Sequence, residues 1–86
     1  MSLNEHAKRV YNVAPDPVAL TFADGETHEF EIESAEFFQE DFQGEAARVD
    51  DDADYRLVTD GDDLVVGRNA GDGWATFGVV TDVARA

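Results

Sequence analysis

From Val18 onward apolar side chains fall at every second position. Val18, Leu20 and Phe22 share one face, and after a polar break His28, Phe30 and Ile32 alternate with Glu29, Glu31 and Glu33. That period is the pattern of half-buried strands. The residues before it follow a different period: Leu3, Ala7, Val10 and Tyr11 recur at helical spacing, with Glu5, Lys8, Arg9 and Asn12 between them. Ser2 and Glu5 have the spacing of a capping box, and Pro15 and Pro17 stop any continuation, so a short amphipathic helix over residues 3–12 is expected.

The register of the first hairpin follows from its turn. A two-residue Asp24-Gly25 turn would set Leu20 opposite Glu29 and mix the apolar stripe with the charged one. A three-residue loop, with Ala23 and Asp24 in a type I turn and Gly25 left-handed, sets Leu20 opposite His28 and Val18 opposite Phe30. Only the second register places both apolar stripes on one side.

Ser34 stands at an N-cap position, Phe38 and Phe42 are one helical turn apart, and Gly44 follows, which together read as a second short helix through Phe42. Residues 46–49 add a short strand. Consecutive hairpins come next: Tyr55–Thr59, a turn at Asp60-Gly61, Leu64–Arg68, a turn over 70–73, and Trp74–Val83. A four-residue turn in the last hairpin would align Val66 with Phe77 and Leu64 with Val79, and Tyr55 and Leu57 join that core face.

The opposite face of these strands carries Val58, Val65, Trp74 and Val80, where a sheet with one wet side should be polar. The helix, the Phe37–Phe42 segment or another protein must cover it. The expected fold class is α+β, mainly β: one domain over residues 1–86, with an N-terminal helix and about five antiparallel strands in a meander, closed as a small barrel or open. This order resembles the Sm-like and SH3-like small barrels in architecture. The Sm uridine-binding motifs have no counterpart here, so the resemblance implies no RNA-contacting residue.

Charge changes the picture most. The 86 residues hold 20 Asp plus Glu against 6 Lys plus Arg, a formal net charge of -14, and Lys8 is the one lysine. Such a charge on so small a body erodes a stability of roughly 5 to 10 kcal/mol in dilute buffer. In molar salt the Debye length falls to about 3 Å and the repulsion is masked. The composition resembles that of small cytosolic proteins of halophilic archaea, with loosely held hydrated potassium as counterion. No apolar run reaches the length of a membrane span and the N-terminus reads as a polar helix start, so a cytoplasmic location is expected.

Candidate chemistry is sparse. Without cysteine there are no disulfides or thiolate sites, and His6 and His28 alone leave little for zinc. Asp50, Asp51, Asp52 and Asp54 have the spacing that opens a calcium loop, but Tyr55 stands where its glycine belongs and Gly61 where its closing glutamate belongs. Gly67, Gly71, Gly73 and Gly78 match no phosphate-loop spacing. His28 and His6 lie beside apolar stripes, and Ser2 and Ser34 have capping roles, so no catalytic residue, cofactor or metal site is assigned.

Two readings of function lead, and a third, an enzyme, would need a pocket lined by His28 and paired carboxylates. The first is a non-catalytic module that binds another protein or forms a homodimer through Val58, Val65, Trp74 and Val80, with Phe37 and Phe42. The second is a nucleic-acid-associated regulator that uses Arg56 and Arg68 with Tyr55. The charge argument yields its own expectation: lowering KCl from molar to about 0.1 M loosens or unfolds the domain, because repulsion then acts within about 10 Å. Circular dichroism against salt reads this directly, and a sharp melt unchanged in nearly salt-free buffer would overturn it.

Overall fold

Every period-two stretch forms a strand, and so does the segment expected to be helical. The computed structural model describes residues 4–39 and 41–86, with α1 at Glu5–Val13, β1 at Val18–Phe22 and β2 at Thr27–Phe38. The remaining strands are β3 at Asp41–Arg48, β4 at Asp54–Asp60, β5 at Asp63–Asn69 and β6 at Trp74–Arg85. All neighbouring strands are antiparallel and run in chain order, and β1 pairs with β6 to close a six-stranded barrel. The fold is therefore mainly β with one short helix, a sixth strand closing what was expected as about five.

The first hairpin has the register its loop chemistry requires, Val18 against Phe30 and Leu20 against His28. Gly25 takes φ 89°, its amide donates to the Phe22 carbonyl at 2.8 Å, and the Phe22 amide donates to the Glu26 carbonyl at 2.8 Å. Glycine meets that left-handed φ without steric cost.

The expected helix over 34–42 is instead the end of β2, a turn at Gln39 with φ 61°, and the start of β3. Phe37 faces Phe42 across this hairpin with ring centroids 5.1 Å apart, a contact that a helix would not make. Gly44 is no helix terminator. It sits between Ala35 and Leu57, and an added Cβ would come within 3.1 Å of the Ser34 carbonyl and 3.2 Å of the Phe42 ring. Its missing side chain makes room for Phe42 in the core.

The helix begins later than the capping box implied. Asn4 is the N-cap, its Oδ1 accepting from the amides of His6 and Ala7 at 3.1 and 3.2 Å, while Ser2 and Leu3 lie outside the described residues. Asn4 Nδ2 also donates to the carbonyls of Gly61 at 3.2 Å and Asp63 at 2.9 Å. One side chain thus satisfies the helix start and ties it to the β4–β5 turn. Ala7 and Val10 are fully buried, so α1 seals the barrel end where the β2–β3 and β4–β5 turns lie.

The last hairpin starts in the expected alignment, Asn69 against Trp74 and Gly67 against Thr76, then slips by one so that Val66 faces Gly78 and Leu64 faces Val80. Phe77 is the extra residue of this β-bulge. From there the parity of β6 is reversed as far as Val80, which turns Val80 inward and Val79 outward, until a second slip at Thr81 against β1 restores it and leaves Val83 buried. Phe77 itself packs on the core, its ring 5.1 Å from Phe22 and 5.4 Å from Tyr55.

Gly78 lies where an added Cβ would come within 2.9 Å of the Phe22 ring, whereas a Cβ at Gly67 would meet nothing closer than 3.5 Å. Gly78→Ala should therefore cost about 1–3 kcal/mol by overpacking. Gly67→Ala should stay within about 0.5 kcal/mol of the parent. Urea unfolding at one fixed KCl concentration compares them, and equal midpoints would refute the close-packing account.

Candidate protein-binding surface

On the outside of the barrel, alternation along three neighbouring strands brings Val58, Val65 and Val79 into one row, since Val58 pairs with Val65 and Val65 with Val79. All three are half-buried. The next outward row is Arg56, Gly67 and Thr76. Trp74 lies over Gly67, and the Arg56 guanidinium rests 4.2 Å from its ring centroid. Trp74 remains 45% exposed. Carboxylates surround it: a shallow cleft of about 180 Å³ is lined by Trp74, Arg56, Glu33, Glu45 and Asp54, with Tyr55 and Ala46 at its floor. The helix does not cover this face, because it packs on the barrel end through Ala7 and Val10.

Of the residues nominated for this surface, Val58, Val65 and Trp74 stand on it. Val80 is 2% exposed and Phe42 is 1% exposed, so both belong to the core and cannot present an interface. The Phe77 bulge moves Val80 inward, and the β2–β3 hairpin turns Phe42 inward. Phe37 is half-buried between Phe42 and Tyr11, whose ring centroid is 5.4 Å away.

The end of the barrel opposite α1 is closed by polar chemistry. The Tyr55 ring is buried, and its hydroxyl donates to Asp51 Oδ2. Arg68 Nε donates to the same oxygen at 2.8 Å and to the Tyr55 hydroxyl at 3.2 Å, while its terminal nitrogen reaches Asp51 Oδ1 at 3.3 Å. Arg68 and the Tyr55 hydroxyl hold the Asp51 carboxyl well below the usual carboxylate range, and burial, with Asp51 beside it, pushes the Tyr55 phenol up. Arg48 pairs with Asp50 at 2.5 Å and lies over the Phe77 ring. Tyr55 and Arg68 are thus members of a closed network, and Arg56 stands apart from them on the outer face; the three do not form one surface.

Residues 1–86 match the family described as domain of unknown function DUF8072. The chain belongs to that family. No curated protein and no solved structure matches it.

In this DUF8072 domain two carboxylates of the acidic run close the lid: Asp50 accepts from Arg48, and Asp51 from Arg68 and Tyr55. Those bonds turn the two carboxylates toward separate cations rather than toward a common point. An open groove of about 360 Å³ beside the lid is lined by residues 51–54 and 68–71. His28 is half-buried among aromatic rings, 5.9 Å from Phe22 and 5.6 Å from Phe77, where it is a boundary residue of the core. No helix of the described residues is long and apolar enough to cross a membrane.

Sequence reasoning missed Val79, Phe38 and Asp51. Phe38 is 75% exposed at the end of β2 and Tyr11 is 50% exposed beside Phe37. The signal for Val79 was the Phe77-Gly78 pair, a bulky residue beside one with no side chain inside a strand, which is a bulge signature. Asp51 lay inside an acidic run whose members look alike until a cation selects one.

The lid makes a pH-dependent contribution whose sign follows from the depressed Asp51 pKa. Its stabilisation is fully present above the unfolded carboxylate pKa of about 4 and is lost as pH falls through the lower folded value. Asp51→Asn should lower the melting temperature at neutral pH, and the gap to the parent should narrow steadily on acidification. A gap independent of pH would show that Asp51 acts by shape rather than charge.

Proposed function

We propose that this domain is a non-catalytic protein-binding module that docks another chain, or a second copy of itself, on the outer face of β4, β5 and β6. The supporting observation is the row Val58, Val65 and Val79 with Trp74 beside it, apolar where an antiparallel sheet facing water is ordinarily polar. Tryptophan is enriched among residues that dominate binding energy, and the valine row adds apolar contact area on the same face. Arg56 over the ring gives the free face a polar cover that a partner can share or displace. The acidic composition supports a salt-rich cytoplasm as the setting, in which masked repulsion lets apolar contact decide association.

The nucleic-acid reading draws less support. Tyr55 and Arg68 are engaged with Asp51, and Arg56 stands among Glu33, Glu45 and Asp54, a field that repels phosphate.

A photo-reactive residue placed at Val65 tests the proposal in the cells that make the protein, with the same probe at the exposed turn residue Asp24 as control. Position 65 is expected to yield a discrete protein adduct that position 24 does not, and Trp74→Ala should weaken it. A doubled mass identifies a second copy, and any other mass a different chain. No adduct, or a nucleic-acid adduct, would overturn the proposal.

A further inference from the structure

Residues 31–38 of β2 have a strand partner on one side only. β3 runs along that side from Phe30 to Phe38, but β1 leaves β2 at the Val18–Phe30 pair. Among the described residues no backbone hydrogen bond crosses from 31–38 to α1 or to the connection over 14–17. In an antiparallel ladder alternate residues direct both backbone groups away from the partner strand. Counted from the Phe38–Asp41 pair that closes the hairpin, those residues are Ala35 and Phe37.

Along this edge runs an open groove of about 340 Å³, with Tyr11, Ala14 and Pro15 on one wall and residues 32–35 on the other. The half-exposed Tyr11 lines it, and the exposed Phe38 ends β2 on the opposite face; they are the two largest uncovered aromatic surfaces of the described chain apart from Trp74. Natural sheets blunt such edges with lysine, proline or a covering element. Here Glu31, Glu33, Glu36 and the irregularity between Ile32 and Ser34 temper the edge, Ala35 and Phe37 beyond that irregularity carry no charge, and Pro15 lies across the groove rather than in the strand.

We propose that the open edge of β2 binds an extended, basic segment of a partner protein as an added strand, seated between β2 and the end of α1. The free backbone groups of Ala35 and Phe37 supply the ladder, Tyr11 on the Phe37 face takes the apolar side chains, and Phe38 on the opposite face, with Glu36, borders the cationic ones. Charge selects the partner. Glu31, Glu33 and Glu36 are exposed along the strand, and Asp16 near the opposite wall is already paired with Arg85. A second copy offering the same edge would set these glutamates against their own kind, whereas lysines or arginines alternating with apolar residues would meet them. This site shares Glu33 with the cleft beside Trp74 but none of the Val58, Val65 and Val79 row, and it stands or falls without that row.

The test uses the full chain, isotope-labelled, in the lowest KCl that preserves its native spectrum. The probes are an alternating Lys-Val octapeptide, the same peptide with a central proline, and an alternating Glu-Val octapeptide. Only the first is expected to shift the amides of Ala35 and Phe37 and slow their hydrogen exchange. Tyr11→Ser with Phe38→Ser should weaken its binding by at least about tenfold, while Val65→Asp leaves it unchanged. Tyr11 and Phe38 are exposed and Val65 is half-buried, and retention of the native melt confirms that the variants fold. Shifts that avoid residues 35 and 37, equal binding of all three peptides, or sedimentation as a dimer that Phe38→Ser abolishes would each overturn the proposal.

Discussion

Closing a six-stranded antiparallel sheet on itself forces the long strands to bend, and β6 bends at two irregularities, the Phe77 bulge against β5 and a slip at Thr81 against β1. Phe77 bulges from the ladder so that β6 can leave β5 and still reach β1, where Leu20 meets Val83 and Val18 meets Arg85. Gly78, directly after it, lets the Phe22 ring of β1 come against the β6 backbone. Without the Phe77 slip Val80 would face solvent and Val79 the core. β2 carries its own irregularity between Ile32 and Ser34, past the point where β1 departs, and the open edge begins at that departure. Closure on one side and exposure on the other are therefore products of the same geometry.

The two ends of the barrel solve their sealing problem with different chemistry. At one end α1 supplies Ala7 and Val10 as an apolar plug, held by Asn4 to the β4–β5 turn and by Arg9 to Asp82 and the Val83 carbonyl. At the other, an aromatic layer of Phe22, His28, Tyr55 and Phe77 is capped by the Asp51–Arg68 pair. Cations are scarce in this chain, and four of the six are committed to such ties: Arg9, Arg48, Arg68 and Arg85 each meet an aspartate. The exposed pairs add little stability individually. Their positions, linking helix to β6 and β6 to the 14–17 connection, make them fasteners of a closed shape.

Much of this was legible in the residues. The first hairpin could be read because two stripes and one glycine allow a single register, and the last hairpin could be read as far as its bulge. The 34–42 segment misled because Phe38 and Phe42 satisfy helical spacing while Phe37 and Phe42 satisfy hairpin pairing, and periodicity over so short a run does not separate them. What decides is tertiary: Gly44 must give Phe42 room between Ala35 and Leu57. The same limit hid half of the surface. An apolar outer face was visible in Val58, Val65 and Trp74, but its fourth member required knowing where parity breaks, and the open β2 edge required knowing where β1 ends.

An acidic surface also explains why apolar outer residues are tolerable. With carboxylates over most of the body, like-charged copies repel one another at a distance, and an uncovered valine row or strand edge does not lead to indiscriminate aggregation. Salt weakens that protection and strengthens apolar contact at once. Under the proposed docking, the Val58–Val65–Val79 face gains affinity as ionic strength rises, whereas the proposed basic strand on the edge flanked by Glu31, Glu33 and Glu36 loses it. The two proposed surfaces thus differ in the sign of their salt dependence.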